Sequence, residues 1–411
     1  MSNEIYKLFN QSFDSLEAFA DTISEHLKCP VTIEDANHHL LAYSSHDDET
    51  DQARVSTIIG RRVPERVINR FWKDGVIPKL NHSDEPLVIP TIDEIGLRNR
   101  VAISIRKNEE VLGYIWVVDV NGTLTTEHLD LLKLAAQKAR NQLLQLNLQN
   151  KKKERNEQEF LWQMITGDVV DHDSIEKELI RIGLKKGQPV AILVFSFKQM
   201  SKELYNQLTY ISKTTQKMKI LIHTLDENHW ITLVAPKNST TFIEETEQFI
   251  QSFREQIKER FETKVEAVGC GYPKETFPII NESYNEANAV LRLKKLFPRE
   301  LETVHFYHEL GAFRYIDLLK RTPELQKLTS NPALEKLAAY DQENQTNLME
   351  TLETVLDYED RLTEAAKKLH CHINTLNYRL KRIKEITMID IKDPVQKIGL
   401  YFDIKLFRQS I

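Results

Sequence analysis

A chain of 411 residues is too long for one comfortable hydrophobic core, so two to three domains are expected. Hydrophobic residues at 41% and charged residues at 28% are ordinary for a globular protein, and only 12 glycines speak for a helix-rich chain and against a glycine-loop enzyme. The net charge of −6 is uneven: residues 361–411 hold 11 Lys and Arg against 5 Asp and Glu, leaving −12 on the rest, so only the tail suits a polyanion.

Residues 1–126 read as mixed α/β. An amphipathic helix places Leu16, Phe19, Ala20, Ile23 and Leu27 at helical spacing. Strand-like runs follow at Val31–Ile33, Leu40–Tyr43, Leu87–Ile89, Val101–Ile105 and Val111–Val118, the last two flanking the hairpin loop Lys107-Asn108-Glu109-Glu110. This order fits a small-molecule sensor domain of the GAF or PAS kind. Residues 127–168 form a long linker helix. Leu129, Leu132, Ala136, Ala139, Leu143 and Leu146 recur on it at steps of three and four, a seam for a dimer coiled coil or for packing within the chain. Leu131, Leu134, Leu144 and Leu148 lie off that seam and point to packing on the sensor domain as well.

Residues 169–310 give a second α/β domain. Pro189–Phe197 reads as a buried strand and Ser201–Met218 as a helix; Ile220–Leu225 and Trp230–Ala235 form a hairpin across Asp226-Glu227-Asn228-His229. A helix at Thr241–Phe261, a strand at Lys264–Tyr272, a helix at Ile279–Leu296 and a short strand at Val304–Phe306 complete it. The order βαββαβ is that of nucleotide-cyclase-like and ferredoxin-like sheets. A diguanylate cyclase, which resembles this topology, needs a Gly-Gly-Asp/Glu-Glu-Phe turn to grip the nucleotide and hold a metal. Here the turn has no glycine, and the first strand ends Val194-Phe195-Ser196-Phe197 where a metal-binding acid is expected. No catalytic residue, metal ligand or cofactor is therefore assigned. The alternative of a nucleotide-cyclase-type signalling enzyme is checked by turnover of GTP with magnesium.

Residues 311–411 read as all-helical. A helix around Thr346–Asp357 precedes a short one at Leu362–Leu369, which Thr363 can cap and whose Ala365 and Ala366 let a second helix cross closely. After the turn His370-Cys371-His372-Ile373 comes a helix at Asn374–Ile386 with the core stripe Leu376, Leu380, Ile383 and Ile386 or Thr387. Its other face carries Thr375, Asn377, Tyr378, Arg379, Lys381 and Arg382, and residues 361–386 hold seven basic side chains against two acidic ones. A short helix, a tight turn and an amphipathic helix with polar residues at its start is the helix-turn-helix arrangement, here about 362–387. An asparagine in the first turn suits an adenine edge, and the following cations suit phosphates. An amphipathic hairpin with a basic solvated face, binding an acidic protein partner, has the same spacing. The residues expected to bind DNA are Thr363, His372, Asn374, Thr375, Asn377, Tyr378, Arg379, Lys381 and Arg382. Pro394 opens a last helix expected to bury Val395, Ile398, Phe402 and Leu406.

The stretch His372-Ile373-Asn374-Thr375-Leu376-Asn377-Tyr378-Arg379-Leu380-Lys381-Arg382-Ile383, with Asp393-Pro394 downstream, resembles the C-terminal DNA-binding domain of PucR/CdaR-type bacterial regulators. Ile373 stands where that family usually has Arg. The middle domain is similar to the family's degenerate GGDEF-like domain at Gly269-Cys270-Gly271-Tyr272 and Ser283-Tyr284-Asn285-Glu286-Ala287, and the front to its GAF-like sensors. The resemblance implies a homodimeric activator of a catabolic operon, with double-stranded operator DNA, RNA polymerase and a small effector as partners. It is most similar to bacillar regulators of amino-acid use, which implies an amino acid as effector, proline first and alanine second. No effector-binding residue is assigned: His38-His39 and Arg61-Arg62 read as surface pairs, and Trp116 as core.

No apolar run approaches the ~20 residues of a membrane span, and Met1-Ser2-Asn3-Glu4 does not begin an export signal. Cys29, Cys270 and Cys371 are far apart and odd in number, which speaks against a disulfide framework. A cytoplasmic location is expected.

Overall fold

The computed structural model describes residues 15–45, 51–119, 122–167, 172–237, 242–275, 280–322, 331–359 and 361–407. Met1–Glu4, Thr241 and Ile279, named in the sequence reading, lie outside them. The chain divides into two compact units, Met1–Val268 with Pro273–Tyr284, and Gly269–Tyr272 with Asn285–Ile411. Among the described residues no helix is long and apolar enough to cross a membrane.

The first unit opens with α1 (Leu16–Leu27), whose cap Ser15 accepts from the Ala18 N–H at 3.1 Å. Next come β1 (Val31–Asp35) and β2 (Leu40–Tyr43), then α2 (Gln52–Gly60), α3 (Glu65–Lys73) and α4 (Val76–His82). β3 (Leu87–Ile89), β4 (Arg100–Lys107) and β5 (Glu110–Val118) complete an antiparallel sheet of order β2-β1-β5-β4-β3. Side chains alternate between the faces of a strand. Ile33, Ile103 and Ile115 therefore share one face with α1. Ala102, Tyr114 and Trp116 share the other with α2–α4.

The long helix α5 (Thr126–Thr166) lies on the α1 side. Its seam residues Leu132, Ala136, Ala139 and Leu143 are buried there, together with Leu131 and Ala135, so the three-and-four spacing serves packing within the chain. Gly113 lets the helix down onto β5: a Cβ at that position would press into the Glu34 carbonyl and lie 2.6 Å from the Leu143 side chain.

Two residues read as surface are not. His38, in the β1–β2 turn, is 1% exposed and stacks on Tyr114 at 5.0 Å, because the turn folds its ring under the α2–α4 layer. Arg62 is half-buried and donates to the Lys213 carbonyl.

The middle domain follows α6 (His172–Arg181). It contains β6 (Ala191–Ser196), α7 (Lys202–Thr214), β7 (Lys219–Asp226), β8 (His229–Ala235), α8 (Phe242–Phe261) and β9 (Ala267–Cys270), with α9 at Ile280–Leu296. The sheet order is β7-β8-β6-β9, and the β7–β8 turn is held by Glu227 at φ 48° rather than by a glycine. At the strand end where a cyclase would carry an acid, Phe195 is fully buried and packs on Phe253 at 4.5 Å. The expected strand at Val304–Phe306 reduces to one parallel bridge between Cys270 and Phe306, since the chain turns at once into a 3-10 segment at Tyr307–Leu310.

His223 on β7 is wedged between Tyr205 and Trp230, and burial pushes its imidazole down to about 3, with Lys213 adding to the shift. The folded state thus prefers neutral His223. Its contribution is complete above the unfolded value of 6.5 and is lost as pH falls from there towards the folded value. Between pH 7 and pH 5 this one group should remove about 2 kcal/mol of stability. His223→Phe should flatten that part of the slope in urea denaturation at the two pH values; an identical slope would disprove the assignment.

In the second unit, Val290, Leu293, Phe297, Phe313, Ile316 and Leu406 form one core around α10 (Phe313–Arg321). The remaining helices among the described residues are α11 (Pro332–Asn344), α12 (Leu348–Asp357), α13 (Leu362–Lys368), α14 (Ile373–Thr387) and α15 (Pro394–Phe407). Leu334, Leu337, Leu352, Ile383, Leu400 and Ile404 make their common core. At its edge Lys405 is 1% exposed and lies 2.9 Å from Glu300, 3.0 Å from Glu353 and 3.0 Å from Asp357. The last helix departs from expectation: Val395 and Ile398 are 80% and 61% exposed, and burial begins only at Leu400. Its first two turns extend beyond the residues that α11 and α12 can cover.

Candidate nucleic-acid interface

The pair α13 and α14 is built around a small second core of Val355, Ala365, Ala366 and Leu376. The two alanines remove side-chain bulk where the helices cross. Their connection closes with the Leu369 N–H donating to the Ala365 carbonyl and the Cys371 N–H to the Ala366 carbonyl, both at 3.0 Å. His370 takes the left-handed position at φ 51°, where such turns favour glycine.

Thr363 does not cap α13. The helix starts at Leu362 with Arg361 at the cap position, two residues before Thr363, so Thr363 is an exposed residue of the first turn. α14 likewise begins at Ile373, capped by His372, whose Nδ1 accepts from the Asn374 N–H at 3.3 Å. The other N–H groups of that first turn leave a positive end to the helix dipole.

Leu376, Ile383 and Thr387 are buried, and Leu380 is half-buried on the same stripe. Asn374, Asn377, Tyr378 and Lys381 recur at steps of three and four on the opposite side and are exposed, Tyr378 by 71%. Thr375 is exposed beside them. Geometry therefore unites five of the nine candidates on one open surface, with His372 at its end.

Arg379 and Arg382 sit at the flanks with partners of their own. Arg379 Nη1 donates to the buried Thr351 hydroxyl at 3.2 Å. Arg382 lies 5.0 Å from the Tyr340 ring centroid, donates from Nε to its hydroxyl at 3.2 Å, and pairs with Glu385 at 2.8 Å. Their positions follow from α11 and α12 packing alongside α14, which a single-helix pattern does not reveal. Conversely, the structure adds Lys367 and Lys368, exposed at the end of α13 next to the turn. The charge of the segment was their only sequence signal.

The PucR C-terminal helix-turn-helix domain matches residues 348–406, and a GGDEF-like domain matches residues 166–293. The chain is 42% identical to the DNA-binding transcriptional activator AdeR of Bacillus subtilis (strain 168), over 97% of this chain and 94% of that protein. It is 28% identical to the proline-responsive transcriptional activator PutR of the same organism, over 97% of this chain and 98% of the other. Among solved structures, the regulator of polyketide synthase expression from Bifidobacterium adolescentis aligns with a TM-score of 0.26 and 15% identity, covering 62% of this chain and 92% of that one. With a relative of this identity along nearly its whole length and the domain match on α12–α15, the chain belongs to the PucR family of transcription regulators.

Proposed function

We propose that this protein is a DNA-binding activator of a catabolic operon whose N-terminal domain senses a small metabolite. One observation carries the DNA reading: the stripe Asn374, Asn377, Tyr378 and Lys381 is open to solvent, on the face of α14 opposite its buried side chains. An α-helix of this kind fits the major groove, with its first turns on base edges and flanking cations on phosphates. Thr363, Lys367 and Lys368 on α13 suit the backbone beside it.

A five-stranded antiparallel sheet with helices on both faces supports a GAF-like sensor. One relative, named as proline-responsive, supports an amino acid as effector. The protein acts as a homodimer that presents two recognition helices to one operator and contacts RNA polymerase. Effector binding favours the arrangement of the two helices that matches the operator, which requires unequal affinity for the two arrangements.

The test is fluorescence anisotropy with the full chain on its own promoter fragment at several salt concentrations. Specific binding should weaken linearly in log–log form as salt rises, and Lys381→Ala should lower the slope by about one. Equal affinity for promoter and scrambled duplex would defeat the reading.

A further inference from the structure

A run of large apolar side chains stays open on one face of the second unit. Val395 and Ile398 on α15 are 80% and 61% exposed. Phe402, one turn further along α15, is half-buried and meets the Tyr315 ring of α10 edge-on at 6.3 Å. Tyr315 and Leu318, three residues apart on α10, are 50% and 59% exposed. Residues three and four apart on a helix are neighbours, so the five side chains form one continuous stripe. They expose on the order of 500 Å², a size at which an open apolar patch is usually a contact surface.

Gly399 belongs to the same stripe, because Val395, Ile398, Gly399 and Phe402 recur at the three-and-four spacing of one helix face. Glycine weakens a helix interior relative to alanine. Among the described residues nothing requires it here: a Cβ at Gly399 would meet open space. Such a notch lets a second helix approach closely, and the stripe itself can supply that helix. Let two copies of α15 cross antiparallel about a two-fold axis between residues 398 and 399. Ile398 then enters the notch at the partner's Gly399, and Val395 meets the partner's Phe402, each contact occurring twice. None of the four positions carries a charge.

We infer that this stripe is the dimer surface of the protein and that its occupant is a second copy of the chain. The inference rests on the regulator reading above and names the contact that pairs the recognition helices. The long helix α5 offers no equal surface: its seam packs on the sheet, and among the described residues Leu148 is the one large apolar side chain it leaves strongly exposed. The stripe supplies more than half of the ~800 Å² that each partner brings to a standard interface, and its polar margins supply the remainder. α14 and α15 share the core of Ile383, Leu400 and Ile404, so seating α15 on its partner also sets the distance between the two copies of α14. Paired recognition helices need such a fixed distance, because they read half-sites about one turn of DNA apart.

The test is sedimentation equilibrium of the full chain, wild type against Gly399→Leu. Leucine favours a helix more than glycine does and meets open space within one copy, so circular dichroism and urea denaturation should show an unimpaired fold. It fills the notch, so the dimer dissociation constant should rise about tenfold or more. Promoter affinity should fall about a hundredfold on the whole protected footprint and stay unchanged on half of it. Ile398→Cys, next to the axis, should link two copies under mild oxidation. Val395→Cys should not exceed the wild type, whose own half-buried Cys371 sets the background. A monomeric wild type, which would leave the stripe to another protein, overturns the inference. So does a Gly399→Leu dimer as tight as the wild type, or a stronger link through residue 395 than through 398. The DNA function is read separately: a wild type that dimerises through this stripe but binds promoter and scrambled duplex equally keeps the surface and loses the regulator reading.

Discussion

Lys405→Met is expected to cost about 3–5 kcal/mol of the stability of the C-terminal bundle, the penalty of removing one partner from a buried ionic cluster. The ammonium is 1% exposed and stands among carboxylates from separate parts of the unit: Glu300 beyond α9, and Glu353 and Asp357 on α12. Burial by itself would lower the Lys405 pKa, but hydrogen bonds to Glu300, Asp357 and Glu353 raise it above its ordinary value. Methionine keeps the length of the stem and leaves three acids facing one another. Desolvation already holds Asp357 above the usual carboxylate range with the ammonium present, and without it protonation becomes easier still. A carboxyl whose folded pKa lies above its unfolded value favours the folded state more as pH falls. The deficit of Lys405→Met should therefore shrink between pH 7 and pH 5 in urea denaturation, and Asp357→Asn in the same background should recover part of it. A deficit below about 1 kcal/mol at pH 7 would mean that the cluster is solvated rather than buried.

The elements legible in the sequence are those whose pattern is local. β1, β4 and β5 follow from short apolar runs, and α14 from Leu376, Leu380 and Ile383, with its start displaced by one residue. α2, α3 and α4 have nine, nine and seven residues, too short for a helical period to stand out from the runs Val67-Ile68 and Val76-Ile77.

The seam on α5 shows a different limit. Leu132, Ala136, Ala139 and Leu143 satisfy a coiled-coil spacing equally well against a sheet, and the deciding residue, Gly113, is distant in sequence and signals nothing alone. A buried polar cluster on the other face of that sheet was invisible for the same reason. Arg54, Arg100, Glu34 and Trp116 come from three strands and a helix, and only the register β2-β1-β5-β4-β3 makes them neighbours. On α14, amphipathicity located the exposed surface, whereas the flanking helices α11 and α12, by engaging Arg382 and Arg379, decided which cations are open.

Asn377→Ala together with Lys381→Ala should weaken operator binding by about 2–5 kcal/mol, combining one base-edge contact with one phosphate contact. Both side chains are exposed on α14 and neither supports the core, so folding should be unaffected within about 0.5 kcal/mol. The single variants should differ in kind. Asn377→Ala should relax preference at one base pair of each half-site and leave the salt slope unchanged. Lys381→Ala should weaken all sequences alike and reduce the slope. Arg382→Ala belongs to neither class: the guanidinium is stacked on Tyr340 and paired with Glu385, so its loss should first loosen α14 against α11. Anisotropy on operator variants, paired with denaturation of the same proteins, separates the three. If the double variant bound as the wild type does, the open face of α14 would not be the surface that meets the groove.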